Sequence, residues 1–170
     1  MIKAIADKIL KDTNLVSTLS KYGEVEITGS YKYDLMVAPD IDIIVTTSDP
    51  KESSFAALKD LINQRLFQKY QYGDFVKFPK KNRPNGYIVV LILEIEDIKW
   101  EIEIWFLTEK SEKAKEIDYL MENLNEDSRK TILKMKEDKE TRGINKKDIS
   151  STEIYEAVLL QNVTSLDQIK

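Results

Sequence analysis

Two pairs of carboxylates have the spacing of metal ligands on β-strands. Asp40 and Asp42 flank one isoleucine at the start of a β-branched segment, and Glu101 and Glu103 flank another within a later apolar segment. Since side chains alternate along a strand, both members of a pair point to the same face. Close carboxylates repel each other unless a cation lies between them, and Mg²⁺ typically binds one or two carboxylates together with substrate phosphates. The pairs are therefore candidates for a magnesium and phosphate site, although taken alone such a pair is more typical of solvated acids on an exposed strand.

A glycine and a serine precede the first acidic pair. Gly29-Ser30 follow a short alternating segment, 24–28, and nine residues separate Ser30 from Asp40. A glycine at a strand end lets backbone N–H groups approach an anion closely, and the serine hydroxyl can add a hydrogen bond. Lys32 is near enough in sequence to reach the same anion. These residues predict a phosphate contact, and an ordinary turn is the alternative.

The composition narrows the chemistry that such residues could perform. The chain has no histidine and no cysteine, which excludes a Ser-His-Asp triad, a thiolate nucleophile and a cysteine zinc site. Its five glycines do not have the spacing of a dinucleotide-binding turn or a P-loop. The net charge of −4 gives no general reason to expect nucleic-acid binding. The remaining chemistry depends on carboxylates, lysine, arginine, hydroxyls and oxygen-bound metals.

Hydrophobic periodicity predicts the elements that must position the acids. Helices are expected over 3–22 (with an interruption near 12–14), 50–70 and 151–161, with a possible short helix within 31–38. Strands are expected over 24–28, 40–47, 74–78, 87–95 and 99–107. Gly23 is expected to end the first helix in the left-handed conformation. The helix over 50–70 is expected to pack through Phe55, Leu58, Ile62 and Leu66. The order predicts a mixed α/β (α+β) sheet flanked by helices.

The composition changes after Thr108. Between Glu109 and Asp148, 22 of 40 residues are charged, 11 of each sign, which is typical of exposed helices. We therefore expect residues 1–108 to form the core and residues 109–170 a short helical C-terminal extension of the same compact unit. No segment approaches the ~20 apolar residues that a membrane-spanning helix needs, and the N-terminal segment lacks the apolar run of a signal peptide. The expected location is the cytoplasm, without a membrane partner.

The arrangement of these motifs resembles the DNA polymerase β-like nucleotidyltransferase superfamily. Its signature is an apolar residue, Gly, Gly or Ser, a spacer of about ten residues, an acid-x-acid strand and a later third acid. Gly29-Ser30, Asp40-Ile41-Asp42 and Glu103 match this order, over roughly residues 24–107. The closest similarity is to small, single-domain members that act on small molecules or serve as antitoxins.

The resemblance implies a fold, a reaction and a set of roles. The fold would be a nucleotidyltransferase-like mixed sheet, and the reaction would transfer an NMP group, with AMP favoured, from an NTP to a hydroxyl. Asp40, Asp42 and Glu103 would be catalytic and would bind two Mg²⁺ ions, with Mn²⁺ as a substitute, and Glu101 is the alternative third acid. Gly29, Ser30 and Lys32 would hold phosphate.

Several partners and functions stay open at this level. A small-molecule acceptor is favoured over a protein or an RNA, and a homodimer is possible. The first alternative function is a catalytically weak binding module, such as an antitoxin or a nucleotide sensor. The second is a metal-dependent nuclease that uses Asp40 with Asp97-Ile98-Lys99. Four cations between Lys77 and Arg83 are interpreted as a solvated basic turn, with a triphosphate or a nucleic-acid backbone as the alternative ligand.

Overall fold

The computed structural model describes residues 2–145 and 147–169 and contains a five-stranded mixed sheet. The strands are β1 (Glu24–Thr28), β2 (Asp40–Thr46), β3 (Lys69–Asp74), β4 (Tyr87–Ile95) and β5 (Ile98–Leu107), in the spatial order β1-β2-β5-β4-β3. β2 and β5 are parallel, and the other neighbouring pairs are antiparallel. The predicted mixed α/β sheet flanked by helices is confirmed.

The β4–β5 hairpin is fixed by a two-residue turn. Glu96 and Asp97 both have positive φ, 53° and 62°, as a type I′ turn requires. Ile95 pairs directly with Ile98 on either side of the turn. Because this turn matches the twist of the strands, it sets the register of β5 and hence the positions of its two glutamates.

One face of the sheet carries the hydrophobic core of the N-terminal part. Ile41, Ile43, Trp100, Ile102 and Ile104 point to this face and are at most 1% exposed. Helices α1 (Ile2–Asp12), α2 (Leu15–Leu19) and α4 (Pro50–Gln64) contribute buried residues to the same core. The predicted interruption near 12–14 is present, since Asn14 takes a left-handed conformation between α1 and α2. The apolar alternation of the strands therefore leaves the acids on the opposite face.

Gly23 has a different role from the one predicted. The helix α2 ends at Ser20 in a right-handed conformation, and Gly23 is not among the glycines with positive φ. A Cβ at Gly23 would instead collide with the backbone oxygen of Thr46 on β2. The glycine is required for the close approach of two strands.

The predicted boundary between α4 and the third strand was wrong. α4 begins as expected, with the Asp49 carboxylate accepting a hydrogen bond from the Glu52 N–H, but it ends at Gln64 because Arg65 is left-handed. The third strand is Lys69–Asp74, and the predicted strand over 74–78 is a turn. In that turn the Asp74 carboxylate accepts hydrogen bonds from the backbone N–H groups of Val76 and Lys77. Asp74 therefore ends the strand that it was expected to begin.

The predicted contact face of α4 was wrong in part. Leu58 packs against the core as predicted, but Phe55, Ile62 and Leu66 are 45–49% exposed. The buried residues of α4 are Ser54, Ala57 and Leu61. Phe55 instead stacks on Tyr72 of β3, with the ring centroids 4.7 Å apart. Small residues allow α4 to approach the sheet closely, so hydrophobicity alone misplaced the centre of the contact face.

The chain divides into two compact units, Met1–Ser111 and Glu112–Lys170. The second contains α5 (Glu112–Met121), α6 (Glu126–Thr141), α7 (Ser151–Gln161) and a 3₁₀ turn (Leu166–Gln168). Capping boxes at Asn125 and Ser150 begin α6 and α7. The predicted division after residue 108, and the assignment of both parts to one compact unit, stay predictions.

The apolar face of α7 agrees in part with its sequence pattern, since Ile154, Ala157 and Val158 are buried while Leu160 is 64% exposed.

Among the described residues, no helix is both long enough and apolar enough to cross a bilayer.

Candidate active site

The four predicted acids lie on neighbouring strands in matching register. β2 and β5 are parallel, with Asp40 opposite Glu101 and Asp42 opposite Glu103. Neighbouring strands are ~4.8 Å apart, and directly opposite side chains share a face. All four acids are partly exposed, while the isoleucines between them are buried on the other face. The structure thus places the two acidic pairs on neighbouring strands.

Gly29 lies directly against Asp42. Thr28, at the end of β1, is opposite Asp42 in the sheet, and Gly29 follows with φ of 63°. A Cβ built on Gly29 would overlap an oxygen of the Asp42 carboxyl group. Both the left-handed conformation and this close approach require glycine. The Gly-Ser motif and the acid-x-acid strand therefore form one local structure.

The helix expected within 31–38 is shorter and begins earlier. Helix α3 (Gly29–Lys32) is a single turn that starts at the glycine itself. The Tyr31 hydroxyl donates a hydrogen bond of 2.6 Å to the Asp7 carboxylate of α1. This hydrogen bond, with burial, raises the pKa of Tyr31 to about 12. Tyr31 therefore anchors the turn to α1.

Lys32 contacts an acid that the sequence analysis did not consider. Its ammonium group lies 2.6 Å from the carboxylate of Glu26 on β1, and Lys110 binds the same carboxylate at 2.8 Å. Burial acts to raise the pKa of Glu26, but the hydrogen bonds from Lys110 and Lys32 outweigh it and lower this pKa. Glu26 is on the face that carries Asp42, since the two are two positions apart in the β1–β2 register. The alternation Glu24-Val-Glu-Ile-Thr28 was the sequence signal that could have identified it.

Glu103 also has a cationic partner. The guanidinium of Arg83, in the loop between β3 and β4, donates a hydrogen bond of 3.1 Å to the Glu103 carboxylate. The same guanidinium lies 5.9 Å from the ring centre of Trp105, two residues beyond Glu103 on the same face. The Glu103 side chain is 22% exposed, and that of Arg83 is 46% exposed. An acid and an aromatic ring on β5 thus hold one arginine beside the candidate site.

The carboxylates do not form a closed metal site in this arrangement. Across residues 2–145 and 147–169, no three acidic side chains converge closely enough to hold a metal ion. The chemistry of the donors nevertheless fits Mg²⁺, which prefers carboxylate oxygens and retains positions for phosphate. Arg83 donates a hydrogen bond to Glu103, the predicted third acid, in this arrangement. The metal and phosphate roles of the site residues stay predictions.

The acids needed for the nuclease interpretation lie apart in the sheet. Asp97 is in the β4–β5 turn, whereas Asp40 pairs with Glu101, four residues further along β5. At ~3.3 Å per residue, this separation is roughly 13 Å. Turn chemistry accounts for an aspartate with positive φ at Asp97. The arrangement does not favour a site composed of Asp40 and Asp97.

Comparison with solved structures supports the interpretation of the fold. Seven chains match. One is the polymerase core of TRAMP, an RNA surveillance complex, with 18% identity and a TM-score of 0.60 over 90% of this chain and 49% of that one. Another is terminal uridylyl transferase 4 from Trypanosoma brucei with bound UPU, with 12% identity and a TM-score of 0.52 over 92% of this chain and 54% of that one. No family model and no curated protein matches the sequence.

These likenesses show that the chain has a nucleotidyltransferase-like fold, as the resemblance implied. At such low identity they concern the fold alone. The present chain spans about half the length of the two chains described.

Proposed function

We propose that this chain is a divalent-metal-dependent nucleotidyltransferase that transfers an NMP group, with AMP favoured, from an NTP to a hydroxyl. The observation that carries the proposal is the alignment of Asp42 with Glu103 in the sheet, with Gly29 packed against Asp42. A glycine turn beside carboxylates on two adjacent strands suits a triphosphate with its metal ions better than it suits a solvated sheet face. The fold of the solved polymerase and transferase cores supports the same reaction class.

Each side chain has a proposed role. Asp40, Asp42 and Glu103 would hold Mg²⁺ or Mn²⁺, and Gly29, Ser30 and Lys32 would orient the triphosphate. We prefer Glu103 to Glu101 because Glu103 is opposite Asp42, the acid that contacts Gly29. When bound, divalent ions would neutralise the triphosphate and favour deprotonation of the acceptor hydroxyl. Arg83 would leave Glu103 as the nucleotide enters.

The reaction is a single substitution at phosphorus. The acceptor hydroxyl oxygen attacks the α-phosphorus and forms a new phosphoester bond. The bond between that phosphorus and the oxygen bridging to the β-phosphorus breaks, and pyrophosphate leaves with the electron pair. The hydroxyl proton passes to solvent or to a carboxylate of the site, for which Glu103 is the candidate. The acceptor would be a small molecule, a protein or an RNA.

A binding module without efficient turnover is the second candidate function. It is favoured by the Arg83–Glu103 hydrogen bond and by the absence, among the described residues, of three converging acids. In that case the chain would bind a nucleotide or a protein partner and release no pyrophosphate. An antitoxin and a nucleotide sensor are both of this type.

Calorimetric titration of ATP and GTP in the presence of Mg²⁺ tests the proposal. The wild type should bind a nucleotide, and binding should be lost with EDTA and in Asp40→Ala/Asp42→Ala. Asp97→Asn is the control, since Asp97 lies in the hairpin turn. Pyrophosphate release measured in parallel separates the transferase from the binding module. Metal-dependent binding that survives in the double variant would contradict the proposed site.

A further inference from the structure

The loop between β3 and β4 is a concentrated basic and aromatic surface on an acidic protein. We define the β3–β4 loop as residues 75–86, which include four cations, two phenylalanines and no acid, whereas the chain has a net charge of −4. Phe78 is 63% exposed and Val76 is 48% exposed. Lys77, Lys80 and Lys81 are exposed, and no acidic side chain of the described residues pairs with them. A basic turn that merely keeps the protein soluble does not require an exposed phenylalanine such as Phe78.

Three of the cations lie close to aromatic rings. The ammonium of Lys77 is 5.4 Å from the ring centre of Phe78, and that of Lys80 is 5.6 Å from that of Phe75. Phe75 in turn contacts Trp105, with the ring centroids 5.2 Å apart. Positive charge beside an exposed aromatic face is the combination that binds single-stranded nucleic acid, whose phosphates pair with the cations while its bases stack on the rings.

The loop also leads to the candidate active site. Arg83, near its end, contacts both Glu103 and the ring of Trp105. A strand bound along the loop would therefore reach the carboxylate that we assign to the transfer reaction. A free mononucleotide would use fewer of the cations and rings than the loop provides.

We infer that the β3–β4 loop binds single-stranded nucleic acid and directs its end toward Glu103. This inference deepens the proposed function, on which it rests, by naming the class of acceptor. Backbone phosphates pair with Lys77, Lys80 and Lys81, and a base stacks on Phe78. The bound strand presents a terminal hydroxyl as the acceptor.

Fluorescence anisotropy tests the surface without any turnover. The probes are a short labelled single-stranded RNA and the DNA of the same sequence, with EDTA present to exclude a contribution from metal-bound nucleotide. In Lys77→Ala/Lys80→Ala/Lys81→Ala, the slope of log K against log salt concentration should be smaller in magnitude by about 2. Each phosphate contact to a single strand contributes ~0.7 to this slope. Phe78→Ala should weaken binding by roughly tenfold, the effect of losing one stacked base.

Two control variants match these changes. Lys8→Ala/Lys11→Ala/Lys51→Ala removes the same charge from exposed positions on α1 and α4. Tyr119→Ala removes an aromatic ring that is 73% exposed on α5. Both controls should bind the probes as the wild type does. Equal weakening by the control and test variants would overturn the inference, because the effect would then be general.

Further binding measurements distinguish nucleic acid from a membrane ligand and separate this inference from the proposed function. Preference for RNA or for DNA identifies the natural source of the strand, and binding to either supports the surface. Binding to phosphatidylserine-containing vesicles with no binding to either probe would overturn the inference in favour of a membrane. Nucleic-acid binding that persists in Asp40→Ala/Asp42→Ala supports the surface even if calorimetry finds no NTP binding, so the surface and the proposed reaction can fail separately.

Discussion

Glu26 and Asp42 lie on the same face of the sheet, two positions apart in register, yet their neighbours differ. Glu26 receives hydrogen bonds from two lysines at 2.6–2.8 Å, and these lower its pKa. Asp42 is held against the backbone of Gly29 and is opposite a second acid, Glu103. The first carboxylate is paired with two lysines, and the second lies against a glycine turn beside another acid. We therefore propose a structural role for Glu26 and a ligand-binding role for Asp42.

Replacing Gly29 should affect the Asp42 region most strongly. Gly29→Ala combines a left-handed conformation, which costs about 1–2 kcal/mol for an L-residue, with a collision at Asp42, for which overpacking costs about 1–3 kcal/mol. We expect a loss of about 2–5 kcal/mol in the free energy of unfolding, measured with urea, and the loss of nucleotide binding. Gly143→Ala is the matched control, since Gly143 also has φ of 64° but a Cβ there would meet no atom within 4 Å. Equal losses in the two variants would show that Asp42 does not crowd Gly29.

Removing the partner of Glu103 should alter metal binding. Arg83→Met leaves the Glu103 carboxylate without the guanidinium that donates to it at 3.1 Å. The Mg²⁺ concentration needed for half-maximal ATP binding should fall by about two- to fivefold, a change expected for loss of one partly exposed ion pair. Arg142→Met, which breaks an arginine pair with Asp167 in the second unit, is the control and should leave the Mg²⁺ requirement unchanged. A higher requirement in Arg83→Met would mean that the arginine assists binding instead of competing with it.

The smallest effect should come from Glu26. Glu26→Gln removes two ion pairs with partly exposed partners and should lower stability by about 0.5–1 kcal/mol at neutral pH. Because the pKa of Glu26 is lower in the folded state, the stabilisation is complete above the unfolded value of about 4.5 and is lost as the pH falls through the folded value. Urea unfolding measures the free energy of unfolding of wild type and variant, and the difference between the two should be smaller at pH 3 than at pH 7. Glu24→Gln, at an exposed position of the same strand, is the control and should not change the free energy of unfolding at either pH. If Glu26→Gln differed more from the wild type at pH 3 than at pH 7, the ionised Glu26 would not stabilise the fold.

The sequence was informative where local alternation determines position. Asp40 and Asp42 alternate with buried isoleucines, as do Glu101 and Glu103, so the sharing of a face followed directly from the period of a strand. That the strands of the two pairs are neighbours was implied only by the resemblance to the nucleotidyltransferase superfamily. The Gly29 turn was recognised as important, although its contact with Asp42 depends on the β1–β2 register.

Other features depended on contacts between distant segments. Arg83 is twenty residues from Glu103, and Lys110 is 84 residues from Glu26. No periodicity relates such pairs, so sequence reasoning missed both partners. The strand Lys69–Asp74 was missed because the helical pattern continues through Leu66, whereas the left-handed Arg65 ends the helix. The pairing of β3 with β4 outweighed the helical pattern of this segment.

The proposed function requires that Asp42 and its neighbours bind a metal–nucleotide complex. Electron paramagnetic resonance of Mn²⁺ with ATP measures this most directly, because protein-bound Mn²⁺ loses the signal of the free ion. In the presence of ATP, we expect the wild type and Asp97→Asn to lower the free Mn²⁺ signal further than ATP alone does. Asp42→Asn, shown by circular dichroism to be folded, should cause no such further loss. If Asp42→Asn lowers the signal as much as the wild type does, Asp42 does not bind the metal–nucleotide complex.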